Sequence, residues 1–159
     1  MTIVTHERET LFGSVFDGAM ANNSAGQIAA EEWSRAGDVR PNVVVDAFAV
    51  MPNHIHGIIV LTEPAGANRR LAPAPGMLTP PPAGSLGAII AQFKSITTKR
   101  INRLRGTPAL PIWQRNYFEH IIRNDKSLDR IREYIADNPA RWEHDPENPT
   151  ATMLEPEPW

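Results

Sequence analysis

The chain of 159 residues has no cysteine, which excludes a disulfide framework and a thiolate metal site and fits a cytoplasmic protein. It also lacks any apolar run long enough to span a bilayer, and its N-terminus lacks the basic-then-apolar order of a signal peptide. No membrane partner is therefore expected. Net charge is small, −2, and as a total it argues against a nucleic-acid partner. Tyrosine is rare: Tyr117 and Tyr134 are the only two. Against these absences, 42% apolar and 21% charged residues describe an ordinary globular chain, long enough to bury a core as one domain.

The small net charge hides an asymmetry. From Leu86 to Arg123 seven basic residues face one acid, Glu119, whereas from Asn124 to the end nine acids face four bases. A locally positive face on an acidic chain can still hold a polyanion.

Proline is also unevenly spread. Six prolines fall between Thr62 and Ala83, so residues 62–84 read as a proline-rich insertion within a single domain spanning residues 1–142. The acidic, proline-bearing residues 143–159 read as a loosely structured tail.

Around the insertion, patterning predicts a run of elements. Met1 to Thr5 reads as a strand that begins abruptly, as if upstream residues were missing. Residues around Leu11, Phe12 and Phe16 read as a loop. A helix is expected from Ser24 as N-cap, with Gln27 in the capping-box position, Ile28, Ala29 and Trp33 facing inward, and Gly37 closing it. Val43 to Val50 and His54 to Leu61 read as a hairpin joined by Met51-Pro52-Asn53.

Ser85 caps a helix over Leu86 to Arg105 ended by Gly106, with Leu86, Ile89, Ile90, Phe93, Ile96, Ile101 and Leu104 as the apolar stripe. A fourth strand is expected within Ile112 to Ile122, and Asn124 caps a helix over Asp125 to Asp137 stopped by Pro139. The order β-α-β-β-α-β is the ferredoxin-like split βαβ arrangement of the α+β class: an antiparallel sheet with helices on one face and a C-terminal helix appended.

Two short patterns carry chemistry. In a strand, residues two apart share a face, so His54 and His56 project together while Ile55 points into the opposite layer. Paired imidazoles on a rigid strand are half of a metal site. On the last helix Tyr134 and Asn138 stand one turn apart on one face. Each pattern alone reads more readily as packing: a pair of surface or core histidines on a strand, and a tyrosine at a core boundary with its hydroxyl in water. The polar face of the preceding helix, with Gln92, Lys94, Ser95, Thr98, Lys99, Asn102, Arg103 and Arg105, offers donors suited to phosphate oxygens, although alone it reads first as a solvated face.

Together, His54-Ile55-His56, the stretch Trp113 to Asn124 (Trp-Gln-Arg-Asn-Tyr-Phe-Glu-His-Ile-Ile-Arg-Asn) and Tyr134-Ile135-Ala136-Asp137-Asn138-Pro139 closely resemble the REP-associated tyrosine transposases, single-tyrosine HUH transposases of the smallest insertion sequences. The resemblance covers the chain from about Thr2 to Trp142 outside the insertion. It implies that His54, His56 and Asn138 bind Mg²⁺ or Mn²⁺, that Tyr134 is the nucleophile and that His120 supports the active site. It further implies a substrate of single-stranded or hairpin DNA, cut through a 5′-phosphotyrosine link, by a monomer or a homodimer.

Lys94, Lys99, Arg100, Arg103, Arg105 and Arg115 are the candidate DNA contacts, and Tyr117 is the rival nucleophile. The competing expectations are a DNA- or RNA-binding module of the same fold without cleavage, and a metal-dependent hydrolase that activates water.

Overall fold

The computed structural model describes residues 1–62, 81 and 84–151. Nearly all of the proline-rich stretch and the last eight residues lie outside them. Strand β1 (Thr2–Val4), the hairpin β2 (Gly13–Phe16) and β3 (Ala19–Asn22), helix α1 (Ser24–Asp38), strands β4 (Val43–Val50) and β5 (His54–Leu61), and helices α2 (Leu86–Arg105) and α3 (Asp125–Asp137) follow in order. The main sheet is antiparallel with β5 between β1 and β4, and β2 pairs only with β3. The expected fourth strand is a bridged segment on the outer edge of β1, joined at Thr5 to Trp113 and at Thr2 to Phe118.

The sheet separates two layers. On one face α1 and α2 pack through Ile3, Ile55, Trp33, Ile90, Phe93 and Trp113 into one apolar core. Trp33 meets Phe93 edge-on at 5.3 Å, and Gly57 lies so close that a Cβ there would fall 2.3 Å from the indole. On the other face lies α3, tied to β4 by Arg132 reaching Asp46 at 2.7 Å. A bulge between Val45 and Phe48 shifts the register of β4, so Asp46 turns towards α3 while Val45 and Phe48 both keep contact with the core.

The caps explain most boundaries. Ser85 accepts from the Ala88 N–H, Asn124 accepts from the Ser127 N–H, and Gly106 ends α2 in the left-handed region that favours glycine. At α1 the expectation is corrected: Asn23, not Ser24, is the N-cap, its side chain accepting from Ala25 and Gly26 while donating to the Leu11 carbonyl. Gly37 does not close α1 either, since the helix runs through Asp38 to a C-cap at Val39.

The expected loop around Phe16 is the β2–β3 hairpin, turned by Asp17 and Gly18 with positive φ at both positions. Leu104 is 53% exposed, outside the apolar stripe predicted for it, and Asn102 is buried, donating to the Leu110 carbonyl.

Residues 143–150 are not a loose tail. A short 3₁₀ helix, Pro139–His144, leads into a turn in which Asp145 and Asn148 are buried. Asn148 donates to the Trp142 carbonyl and accepts from Thr150, and Glu147 pairs with Arg8 at 2.8 Å. Composition signalled solvation, but these polar groups find partners within the fold. Among the described residues no helix is long and apolar enough to cross a membrane.

Candidate active site

Alternation along β5 places His54 and His56 on the α3 face, both buried, with their Nε2 atoms 3.0 Å apart. Their outer nitrogens are tied back to the protein. Asn53, wholly buried, spends both amide hydrogens on the carbonyls of Arg8 and Glu147, at 3.2 and 2.6 Å. Its Oδ1 must therefore accept, and His54 Nδ1–H donates to it at 2.8 Å. That bond fixes the tautomer and leaves the His54 Nε2 lone pair facing inward. His56 Nδ1 meets the Thr2 hydroxyl at 2.9 Å, a group able to donate or accept.

Burial is the first cause of both titrations. It lowers His54 to about 4, opposed by Asn138. It lowers His56 to about 3, helped by the neighbouring His54. Both rings are neutral at pH 7, the form that ligates metals. The 3.8 Å approach of an Asp145 oxygen to His54 Nε2 is accordingly not an ion pair at that pH.

Further groups complete the cluster. His54, His56 and Asp145 offer ligand atoms that all lie within 4.8 Å of one another, so the three can hold a metal ion. Asn138, 1% exposed, follows α3 directly, and its amide lies near enough to bias both His54 and Tyr134. Its Oδ1 is buried and makes no hydrogen bond of good geometry, so it is open to accept one. Imidazole nitrogens, an amide oxygen and a carboxylate, with no thiolate, suit a hard or borderline divalent cation.

Tyr134 packs its ring on His56, with centroids 5.3 Å apart, and Trp142 lies 6.1 Å from His54. Burial, then the charge of Asp145, pushes the Tyr134 phenol above its ordinary range, so it is protonated at neutral pH.

The other expected residues are dispersed. Tyr117 sits at the core edge, its ring under the Lys94 ammonium at 5.9 Å. His120 is exposed on the edge segment and makes no hydrogen bond to the cluster. Lys94 donates to the carbonyls of Gln114 and Asn116, both at 2.8 Å. Arg100 pairs with Glu31 and Glu32, and Arg105 with Glu9. Lys99, Arg103 and Arg115 are exposed and make no salt bridge among the described residues. Helix α2, which carries five of the six basic candidates, packs on the face of the sheet opposite the histidines.

Sequence reasoning missed Asp145, Asn53 and Thr2. Asn53 alone had a local signal, a polar residue in a tight turn beside His54.

Fold and site together define a mixed α/β protein with a buried histidine pair, able to hold a metal, against which one tyrosine packs. The chain belongs to the same family as a Haemophilus influenzae protein described as uncharacterized, to which it is 35% identical over 148 residues, 91% of this chain and 81% of the relative. No family model matches it. Among solved structures it is similar to a REP-associated tyrosine transposase bound to a REP hairpin, with TM-score 0.55 and 21% identity over 88% of this chain. That likeness is one of fold, and the chain spans 64% of the solved protein's length.

Proposed function

We propose that this chain is a metal-dependent single-stranded DNA transposase or endonuclease, cutting and rejoining DNA beside hairpins through a 5′-phosphotyrosine intermediate. The observation that carries the reading is the packing of Tyr134 on His56, 5.3 Å between ring centroids within one chain, beside a buried histidine pair in which the His54 Nε2 lone pair is held inward. Two features support the ferredoxin-like reading of the fold: the segment bridged to the outer edge of β1, and the sheet order with β5 between β1 and β4. The fold shared with a hairpin-bound tyrosine transposase supports the substrate class.

In this reading His54, His56 and Asn138, with Asp145 as a further oxygen donor, hold Mg²⁺ or Mn²⁺. Such an ion polarises the scissile phosphate and neutralises charge as it develops. Tyr134, protonated at rest, loses its proton to water as its oxygen attacks phosphorus. The bond from phosphorus to the 3′ oxygen breaks, and that oxygen leaves as a 3′-hydroxyl after taking up a proton. The phosphotyrosine ester keeps the energy of the broken bond, so a second 3′-hydroxyl can reverse the step without ATP. Asn53 and Thr2 hold the imidazoles in place. Of the six basic candidates, Lys99, Arg103 and Arg115 are free to meet the DNA backbone, Lys99 and Arg103 from the sheet face away from the histidines, since Lys94, Arg100 and Arg105 are engaged within the protein.

Incubation with labelled hairpin DNA and Mn²⁺, followed by denaturing electrophoresis, tests the reading. A denaturant-resistant adduct is expected, lost in Tyr134→Phe and kept in Tyr117→Phe. DNA cut without any adduct would favour a hydrolase that activates water, and binding without cutting would leave a DNA-binding module of this fold.

A further inference from the structure

Single exposed apolar side chains are ordinary and carry no message by themselves. Phe118 differs in its position. It is 75% exposed, and it bridges Thr2, exchanging both backbone hydrogen bonds at 2.9 Å. Thr2 is in turn the partner of His56, to whose ring its hydroxyl is bonded. Residues directly opposite in antiparallel pairing share a face. His56, Thr2 and Phe118 therefore form a row across three strands on the face that carries Tyr134, and two strand spacings put Phe118 roughly 10 Å from His56.

The neighbours of Phe118 turn the other way. Trp113 is buried in the α1/α2 core, Tyr117 packs beside it, and Glu119 lies against the Tyr117 hydroxyl. The acid nearest in sequence thus sits behind the segment, while Arg115 and Arg123, three residues before Phe118 and five after it in sequence, are exposed and without a salt bridge among the described residues.

We propose that Phe118 is a stacking platform for an unpaired nucleobase next to the phosphate presented to Tyr134. The inference rests on the strand-cleavage reading and names the contact that would position the strand. An open aromatic face on a β-sheet, rimmed by cations, is the chemistry that holds single-stranded nucleic acid, because every base has a π-face and every linkage a negative charge. A duplex stem, with its bases already stacked, has nothing to give this ring. The platform therefore reads the unpaired arm beside a hairpin and not the hairpin itself.

The test uses the full chain with fluorescently labelled hairpins, either blunt or carrying a short unpaired arm at the 5′ or 3′ end, in EDTA so that no strand is cut. Phe118→Leu keeps apolar bulk but removes the ring, at a position too exposed to disturb the core. It should bind one armed hairpin about tenfold more weakly, the size of one lost base stack, and bind the blunt hairpin unchanged. Phe118→Trp should bind the armed hairpin at least as well as the parent.

Equal binding of the armed hairpin by the Leu variant and the parent overturns the platform. So does an equal loss on both hairpins, or a parent with no preference for an arm. Adduct formation is scored separately. An adduct with unchanged KM in Phe118→Leu defeats the platform and leaves the cleavage reading intact; arm-dependent loss with no adduct in the parent does the reverse.

Discussion

The two faces of β5 are made from alternate residues of one eight-residue strand, yet they obey different rules. Ile55 and Gly57 face α1 and α2, where the indole of Trp33 fills the space left by a missing side chain. His54 and His56 face α3, where each ring is held by a hydrogen bond and Asn138 keeps an unpaired oxygen. The first face is apolar apart from the Trp33 indole N–H, which is buried without a partner. The other gathers two imidazoles, an amide and a carboxylate, and a buried polar group without a partner costs free energy unless something later supplies the bond. The dry face fixes the position of the strand, and the polar face uses that rigidity to aim two nitrogens at one point.

The comparison predicts that damage separates by face. Trp33→Ala should cost about 3–5 kcal/mol of unfolding free energy, measured by urea denaturation, because the cavity lies in a dense core. The metal affinity of the molecules that remain folded should change little. A variant that lost metal in proportion to stability would break the separation.

The pH dependence sharpens it. With metal removed by chelator, the folded state keeps His54 and His56 neutral well below their unfolded value of 6.5, down to about 4 and about 3. The unfolded chain takes up protons that the folded chain refuses. Stability is therefore full above pH 6.5 and falls as pH drops towards 4, by on the order of 3 kcal/mol for each of the two rings. His56→Ala should flatten that slope, and Trp33→Ala should lower the whole curve while leaving the slope as it was. Denaturant midpoints taken across the pH range read both effects.

Asn53→Ala should be milder in stability and more specific in effect. It strands the carbonyls of Arg8 and Glu147 and frees the His54 ring, at about 1–3 kcal/mol. Affinity for Mn²⁺ should fall about 10- to 100-fold because the tautomer is no longer fixed. Titration calorimetry on the folded variant checks it, and unchanged affinity would show that the clamp does not matter to the metal.

The sequence carried the elements of both faces unequally. Ser85, Gly106 and Asn124 are caps that announce themselves, and β4, β5, α2 and α3 begin and end where those signals place them. The β2–β3 hairpin was written as Asp17-Gly18, a strong turn signal, but its flanks alternate too weakly in Gly13-Ser14 and Ala19-Met20-Ala21 to read as strands.

For the site, spacings of two and four residues show which side chains share a face of their own element. They do not show which elements face each other. Asp145 had no signal at all, being carried to His54 by a 3₁₀ turn within a stretch whose composition resembles a solvated end. The basic residues of α2 share one face in the sequence pattern, but their pairing depends on Glu9, Glu31 and Glu32, which lie far off in sequence and are brought into reach only by the tertiary fold.

The central claim is that the phenol against His56 is the group that takes the DNA. Tryptic digestion of the adduct decides it, because Tyr134 falls in the peptide Glu133–Arg141 and Tyr117 in Asn116–Arg123. Mass spectrometry should find the nucleotide on Glu133–Arg141; a nucleotide on Asn116–Arg123, or strand cleavage with none on either peptide, would contradict the account.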